Sequence, residues 1–302
     1  MSLPILTVHN LRKRYGAIEA IRSVTFDVQK GSIVGLLGPN GAGKTTTLEC
    51  IEGIREPDGG TMTLDGHDIS MTRARRGDKL GVQLQASGLP VHLTVAESLA
   101  LFGAYHRGTP RGDVIERLGL DRFGATLIRD LSVGQQRKVA IGLALLHQPA
   151  LVVLDEPTAG LDVESRVEIH QLLRDLRSEG VAILLATHDM REAEELADRV
   201  VVLLGGEIIA DAAPGALALA DDAKTSVSIR CTRCGPEMET LFNGDSVSRN
   251  ELGDYRIQTT DLATVLEVIS ARLRSGDIEI EELKVAPPSL EERFINITGG
   301  AQ

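Results

Sequence analysis

IVGLLGPNGAGKT, residues 33–45, is the stretch on which the fold turns. Its second part, GPNGAGKT at 38–45, fits G-x-x-x-x-G-K-[ST] and stands between the apolar strand IVGLL and a helix beginning at Lys44, the context that gives this spacing a mechanism. Gly38, Gly41 and Gly43 carry no Cβ, so the backbone can curl and turn its N–H groups toward phosphate oxygens. Lys44 is placed to neutralise β- and γ-phosphate charge, Thr45 to ligate Mg²⁺, and Thr46 to assist at the helix N-terminus, where the dipole favours anions. The bland alternative is a Gly-rich turn with a stray lysine, and the flanking strand and helix argue against it.

Working outward, LVVLDEP at 151–157 supplies the other half of a phosphoryl site. Four apolar residues form a buried strand that delivers Asp155 and Glu156 at its end. Asp155 suits a Mg²⁺ shell, while Glu156, one residue on and facing another way, suits activation of water. An acidic pair ending a strand is usually just solvated, but here another apolar strand, VAILLAT, follows and runs into His188 in ATHD. A neutral imidazole there can reach a γ-phosphate and orient Glu156. LSVGQ at 131–135 is a second hydroxyl- and Gly-bearing turn opening a helix, and so a second place for an anion. Gln85, in GVQLQASGL, is mute by itself but apt for touching both Mg²⁺ and a neighbouring helical block.

The pieces imply an α/β core with a largely parallel sheet, accompanied by an antiparallel β layer built from ILTVHN, SVTFDV and TMTLDG. Val95, Leu99, Phe102, Val114 and Leu118 recur at helical spacing, so the middle block reads as helical. A helix capped by Asp162 and stopped by Gly180 places Val167, Leu172, Leu173 and Leu176 on one broad side. After a small, polar stretch, ALALADDAK, a new β, α, β series begins with SVSIRC, continuing through YRIQTT, a helix from Asp261 to about Arg274, and IEIEELKV. The expected domains are 1–217, with a helical subdomain at about 88–150, and an α+β domain at 218–302.

Composition excludes several classes. A net charge of −11 and only 3 % aromatics, with no Trp, argue against a nucleic-acid partner. The N-terminus has no signal-peptide pattern, and the apolar runs fall short of the roughly 20 residues a membrane helix needs. Three cysteines, Cys50, Cys231 and Cys234, are too few for a disulfide framework and fit a reducing compartment. The lone CTRC lacks a second pair of ligands for a structural zinc site.

In this order, the motifs resemble the nucleotide-binding subunits of ABC transporters, over roughly residues 3–215. The resemblance identifies GPNGAGKT as Walker A, Gln85 as the Q-loop residue, LSVGQ as the signature, LVVLDE as Walker B, AGLD at 159–162 as the D-loop, and His188 as the switch histidine. It implies a P-loop NTPase fold of the ABC type. Tyr15 would stack on adenine. ATP would be held by Gly38, Pro39, Asn40, Gly41, Ala42, Gly43, Lys44, Thr45 and Thr46, and from the facing subunit by Ser132, Gly134, Gln135 and Asp162. Mg²⁺ would be bound by Thr45, Gln85 and Asp155, and hydrolysis carried by Glu156, His188 and Gln85. Val133 stands where the common signature has Gly. The resemblance further implies an ATP-dependent homodimer on the cytoplasmic face of the membrane, coupled through the block at 88–120 to a separate permease, with no transported substrate touching this chain.

PPSLEERFINITG at 287–299 looks like the closing segment of ABC-2 exporter subunits, which implies export of a drug, antibiotic, lipid or polysaccharide. Leu290, Phe294 and Ile297 also fit the apolar side of a terminal helix. Competing accounts are an ABC-type ATPase in translation or chromosome maintenance, which generally has two fused nucleotide domains or a long coiled coil, a metabolic kinase, which leaves LSVGQ unexplained, and a binder that never hydrolyses.

Overall fold

The computed structural model describes residues 3–70, 79–83, 88–106, 112–219, 224–233, 242, 246–249, 254–291 and 293–294. The chain divides into two compact units, Met1–Pro214 and Gly215–Gln302.

In chain order the first unit contains β1 (Leu6–Tyr15), β2 (Ile18–Val28), β3 (Ile33–Leu37), α1 (Lys44–Glu52), β4 (Gly59–Leu64), β5 (His67–Asp68) and β6 (Leu80–Gln83). Then come α2 (Val95–Tyr105), α3 (Gly112–Arg117), two 3-10 turns, α4 (Val133–Leu145), β7 (Leu151–Asp155), α5 (Val163–Ser178), β8 (Ala182–Ala186), α6 (Met190–Leu196), β9 (Arg199–Leu204) and β10 (Glu207–Ala212). All ten strands form one sheet in the order β5-β4-β1-β2-β10-β9-β3-β8-β7-β6.

The run β9-β3-β8-β7-β6 is parallel. Every residue of β3, β7 and β8 is buried, as strands covered on both faces require, and this explains their unbroken apolar sequences. Because β3, β8 and β7 are neighbours running the same way, their C-terminal ends lie side by side, about 5 Å apart per strand. An open α/β sheet binds ligands outside such ends. The phosphate loop, the ATHD turn and the acidic pair each leave one of these three ends.

β1, β2, β4 and β5 are antiparallel, and β1 and β2 run well beyond the expected short pieces, with register shifts along their pairing. This antiparallel layer joins the parallel part edge to edge through β2 and β10, at Glu207 and Ser23. A guanidinium fork reinforces this thin seam: Arg199 on β9 holds Asp211 at 2.5 and 2.6 Å and Asp27 of β2 at 3.1 Å.

In the helical block, Thr94 caps α2 through a reciprocal bond pair with Glu97. Val95, Val114 and Leu118 are buried, and Leu99 and Phe102 half-buried, in accord with their spacing. α4 packs closely on β6: a Cβ on Gly81 would meet the Ala144 carbonyl at 2.2 Å. On α5 one expectation is corrected. Ile169, Leu172, Leu173 and Leu176 are buried, but Val167 is 58 % exposed. At about 100° per residue, the nine steps from Val167 to Leu176 place them on opposite sides of the helix.

The second unit has α7 (Pro214–Ala218) leading into β11 (Thr225–Arg233), β12 (Ser246–Arg249), β13 (Tyr255–Thr259), α8 (Leu262–Ser275) and β14 (Glu279–Ala286). The strands form an antiparallel sheet, β12-β13-β11-β14. Val227, Ile229, Tyr255 and Ile257 meet Val265 and Ile269 of α8 in its core. Cys50 is a buried free thiol and Cys231 is disulfide-bonded, while Cys234 lies outside the described residues. Leu290 is buried and Phe294 half-buried, while Ile297 lies outside the described residues. Among the described residues no helix is long and apolar enough to cross a membrane.

Candidate functional site

The phosphate loop depends on glycine where other residues cannot fit. Gly38 and Gly43 have φ of 155° and 104°. A Cβ on Gly38 would lie 2.4 Å from the Leu203 carbonyl, and one on Gly43 would lie 2.6 Å from the Ala20 carbonyl. The loop is thus pressed between β9 and β2 and curls into the start of α1, which Gly43 caps without any side-chain acceptor. The first N–H groups of a helix have no partner within it, so they remain available to an anion. Lys44 Nζ donates to the carbonyls of Gly38 (2.6 Å) and Pro39 (3.1 Å), folding back over the loop. Burial pulls its pKa below the usual lysine value, against the raising effect of Glu156 and Asp155.

A cavity of about 440 Å³ opens over this loop, lined by Asn40 to Thr46 together with Tyr15, Asp155 and Glu156. Ile18, Glu19, Ala20, Arg22 and Gly205 complete its wall. Sequence reasoning missed these five, because they come from β2 and from the turn after β9, which carry no motif. Tyr15 is 40 % exposed, with Lys13 Nζ and the Arg55 guanidinium 5.7 and 5.8 Å from its ring centroid. Such cations help fix the ring.

At the other end of the cavity β7 delivers Asp155, which is 6 % exposed. Burial, and then the neighbouring charge of Glu156, push its carboxyl up to about 6. Gln83, buried in β6, donates to the Asp155 carbonyl at 3.3 Å. Glu156 leaves the strand with φ at +50°, the left-handed region that a non-Gly residue enters at a cost of roughly 1–3 kcal/mol. This turn swings its carboxylate off the strand and across to the neighbouring ATHD turn. His188 Nδ1 lies 2.7 Å from Glu156 Oε1. Arg137, on α4, was also missed: its guanidinium feels the charges of Glu156 and Asp155, and its buried Nη1 makes no hydrogen bond.

The signature is built as a helix opening. Ser132 Oγ accepts from the Gln135 N–H at 3.2 Å and Gln135 Oε1 accepts from the Ser132 N–H at 2.9 Å, a capping box at the start of α4. Val133 beside it is 64 % exposed. Asp162 caps α5 without that reciprocity: its carboxylate accepts from both the N–H and the hydroxyl of Ser165, at 2.9 and 3.1 Å. Ser132, Gly134, Gln135 and Asp162 do not line the cavity that holds the phosphate loop. The chain therefore brings together Tyr15, the loop, Asp155 and Glu156, with His188 joined through Glu156, and leaves the LSVGQ turn elsewhere. Gln85 lies outside the described residues.

The chain is similar to known proteins in sequence and in fold. The family profile described as ABC transporter matches residues 21–159. The chain is 31 % identical to a linearmycin resistance ATP-binding protein of Bacillus subtilis over 98 % of both chains. It is 41 % identical to Nod factor export ATP-binding protein I of Ralstonia nicotianae, over 70 % of this chain and 68 % of that protein. Among solved structures, an ATP-binding subunit of an ABC transporter superposes with a TM-score of 0.65 at 29 % identity, covering 70 % of this chain and 91 % of that one. A dimeric bacterial ABC transporter cassette, MJ0796, gives 0.63 at 29 % identity, covering 69 % and 98 %. With full-length relatives above 30 % identity and a matching fold around the phosphate loop, the chain belongs to the ABC transporter family, as one of its ATP-binding, ATP-hydrolysing subunits.

Proposed function

We propose that the chain powers an exporter of the ABC-2 type, pairing head to tail so that ATP binding and hydrolysis drive a separate membrane permease from its cytoplasmic face. One observation carries the pairing: the phosphate loop, Asp155 and Glu156 share a cavity that the LSVGQ turn does not line. Ser132, the Gly134 N–H and the positive end of α4 then serve the γ-phosphate held by a second copy. ADP lacks that group, and a ligand shifts a two-state equilibrium only by its differential affinity, so hydrolysis favours opening.

In the closed pair Glu156 accepts a proton from water, the water oxygen bonds to the γ-phosphorus, and the bond to the bridging oxygen of ADP breaks, releasing phosphate. His188, held by Glu156 through Nδ1, fixes the carboxylate and offers Nε2 to the γ-phosphate. The hydroxyl and carboxylate oxygens of Thr45 and Asp155 form a hard donor set, and the buried Asp155 carboxyl, already pushed up to about 6, is a group that a cation relieves. Thr45, Asp155 and Gln85 would hold Mg²⁺, which supplies charge neutralisation at the phosphates.

The relatives named for Nod factor export and for linearmycin and daunorubicin resistance support export, and lend nothing to translation or chromosome maintenance. Leu101 and Tyr105, four residues apart on α2, are 55 % and 82 % exposed, an apolar strip that supports permease contact by this helix. The second unit is assigned a supporting role in the pair.

Glu156→Gln tests the reading. The variant should bind ATP and pair, seen as a doubled mass in gel filtration with ATP, while turnover falls by about 10² to 10⁴, the scale of a positioned base. Normal turnover ends the assignment of the base, and a variant that stays single with ATP ends the paired site.

A further inference from the structure

Beyond the reacting groups lies a buried polar chain that no motif accounts for. Thr158, two residues past Glu156, donates from Oγ1 to Glu192 Oε1 at 2.6 Å. The same carboxylate oxygen faces His170 Nε2 at 3.5 Å, and His170 Nδ1 lies 3.2 Å from Glu195 Oε2. Thr158, Glu192 and His170 are 4 %, 2 % and 3 % exposed. Hiding a carboxylate and an imidazole is costly, and apolar side chains of similar volume would often serve stability as well, so their presence asks for another role.

Their connections suggest that role. Glu156 and His188 emerge from adjacent parallel strands and meet at 2.7 Å. Two residues past Glu156 is Thr158; four past His188 is Glu192, in the first turn of α6, whose cap is Asp189. The Thr158 to Glu192 bond closes a ring: Glu156 to Thr158 by chain, across to Glu192, back along the chain to His188, and across to Glu156. His170 braces the ring from α5, and Arg166, one turn earlier on α5, reaches Asp189 at 3.5 Å. Glu156 also sits in a disfavoured backbone region, held by its N–H to the Ala186 carbonyl at 2.9 Å. A strained turn persists only where its surroundings over-determine it.

We infer that Thr158, Glu192 and His170 are positioning residues, forming a brace that holds the Glu156 and His188 turns in register for hydrolysis. This rests on the catalytic reading of Glu156 proposed above. Thr158→Val keeps the shape and removes the bond. In the full-length protein its kcat should fall roughly tenfold with KM for ATP changed less than twofold, since the phosphate loop is untouched. Thr158→Ser restores the hydroxyl and should recover most of the rate. Combined with Glu156→Gln, Thr158→Val should add less than about a threefold further loss, because the brace acts mainly by placing the Glu156 carboxylate, to which His188 is itself joined. His170→Phe, which fills the site without polar atoms, should match Thr158→Val in this kcat and KM split.

Three results overturn the inference: an unchanged kcat in Thr158→Val, equal losses in kcat and ATP binding, or a further tenfold loss on top of Glu156→Gln. Its failure is distinct from failure of the catalytic reading, because Glu156→Gln alone decides the latter.

Discussion

Glu52, the last residue of α1, gives a sharp test of the electrostatics beneath the phosphate loop. Its Oε2 is buried and makes no hydrogen bond, while Arg55 close by is engaged with Glu49 at 3.1 Å. Burial, with the charges of Asp155 and Glu49 adding to it, pushes the Glu52 carboxyl from 4.5 up to about 8. Between these values the folded chain keeps a proton that the unfolded chain has released. Stability from this group is therefore complete below pH 4.5, falls as pH rises through the window, and levels off above about pH 8.

The slope is about 1.36 kcal/mol per pH unit, so the loss at pH 7 reaches at most roughly 3 kcal/mol; solvent screening of a part-buried group brings this to about 2 kcal/mol. Against a total stability of about 5–15 kcal/mol that is readily measured. Glu52→Gln keeps the shape and cannot ionise. Urea denaturation of both proteins from pH 5 to 9, followed by circular dichroism because the chain has no Trp, gives the difference curve. The variant should gain on the native protein by about 2 kcal/mol between pH 5 and 7 and by nothing more above pH 8. Burying the amide adds only a constant offset. A difference curve that is flat from pH 5 to 8 refutes the argument.

Gly43→Ala should abolish ATP binding while the second unit stays folded, because the new Cβ would lie 2.6 Å from the Ala20 carbonyl at a φ of 104°; fluorescent nucleotide titration reads this, and ordinary binding would mean that the loop has room. Tyr15→Leu should weaken ATP about tenfold, within the roughly 1–3 kcal/mol of a base stacked on an aromatic ring, with kcat held; an unchanged Kd would remove Tyr15 from the adenine site.

The nucleotide motifs were legible because each is local. A phosphate loop is a backbone shape written in consecutive glycines, a capping box is a pair three residues apart, and a strand buried on both faces is a short apolar word such as LVVL. The parallel core could be read for the same reason. Less legible were β5, β6, β10 and β12, which are short or alternate weakly, and the exposed side of α5, where Val167 looked like core. Apolarity alone does not say which side of a helix a neighbour will cover. His170 reads as one histidine in an amphipathic helix, and Glu192 as one of several acids in MREAEEL. Neither announces that it is buried, or that they face one another.

By itself, then, the order of residues determined which groups the chain carries: a Gly-rich loop between a strand and a helix, an acidic pair after an apolar strand, a histidine after the next, and a second Gly- and hydroxyl-bearing turn that opens a helix. Only the tertiary structure decided that β3, β8 and β7 stand side by side, so that Glu156 meets His188 across 2.7 Å while the LSVGQ turn stays outside the cavity. The physical reason is that backbone conformation is set largely by nearest neighbours in sequence, whereas strand order, and the burial it imposes on side chains far apart in the chain, is set by how the whole sheet packs against its helices.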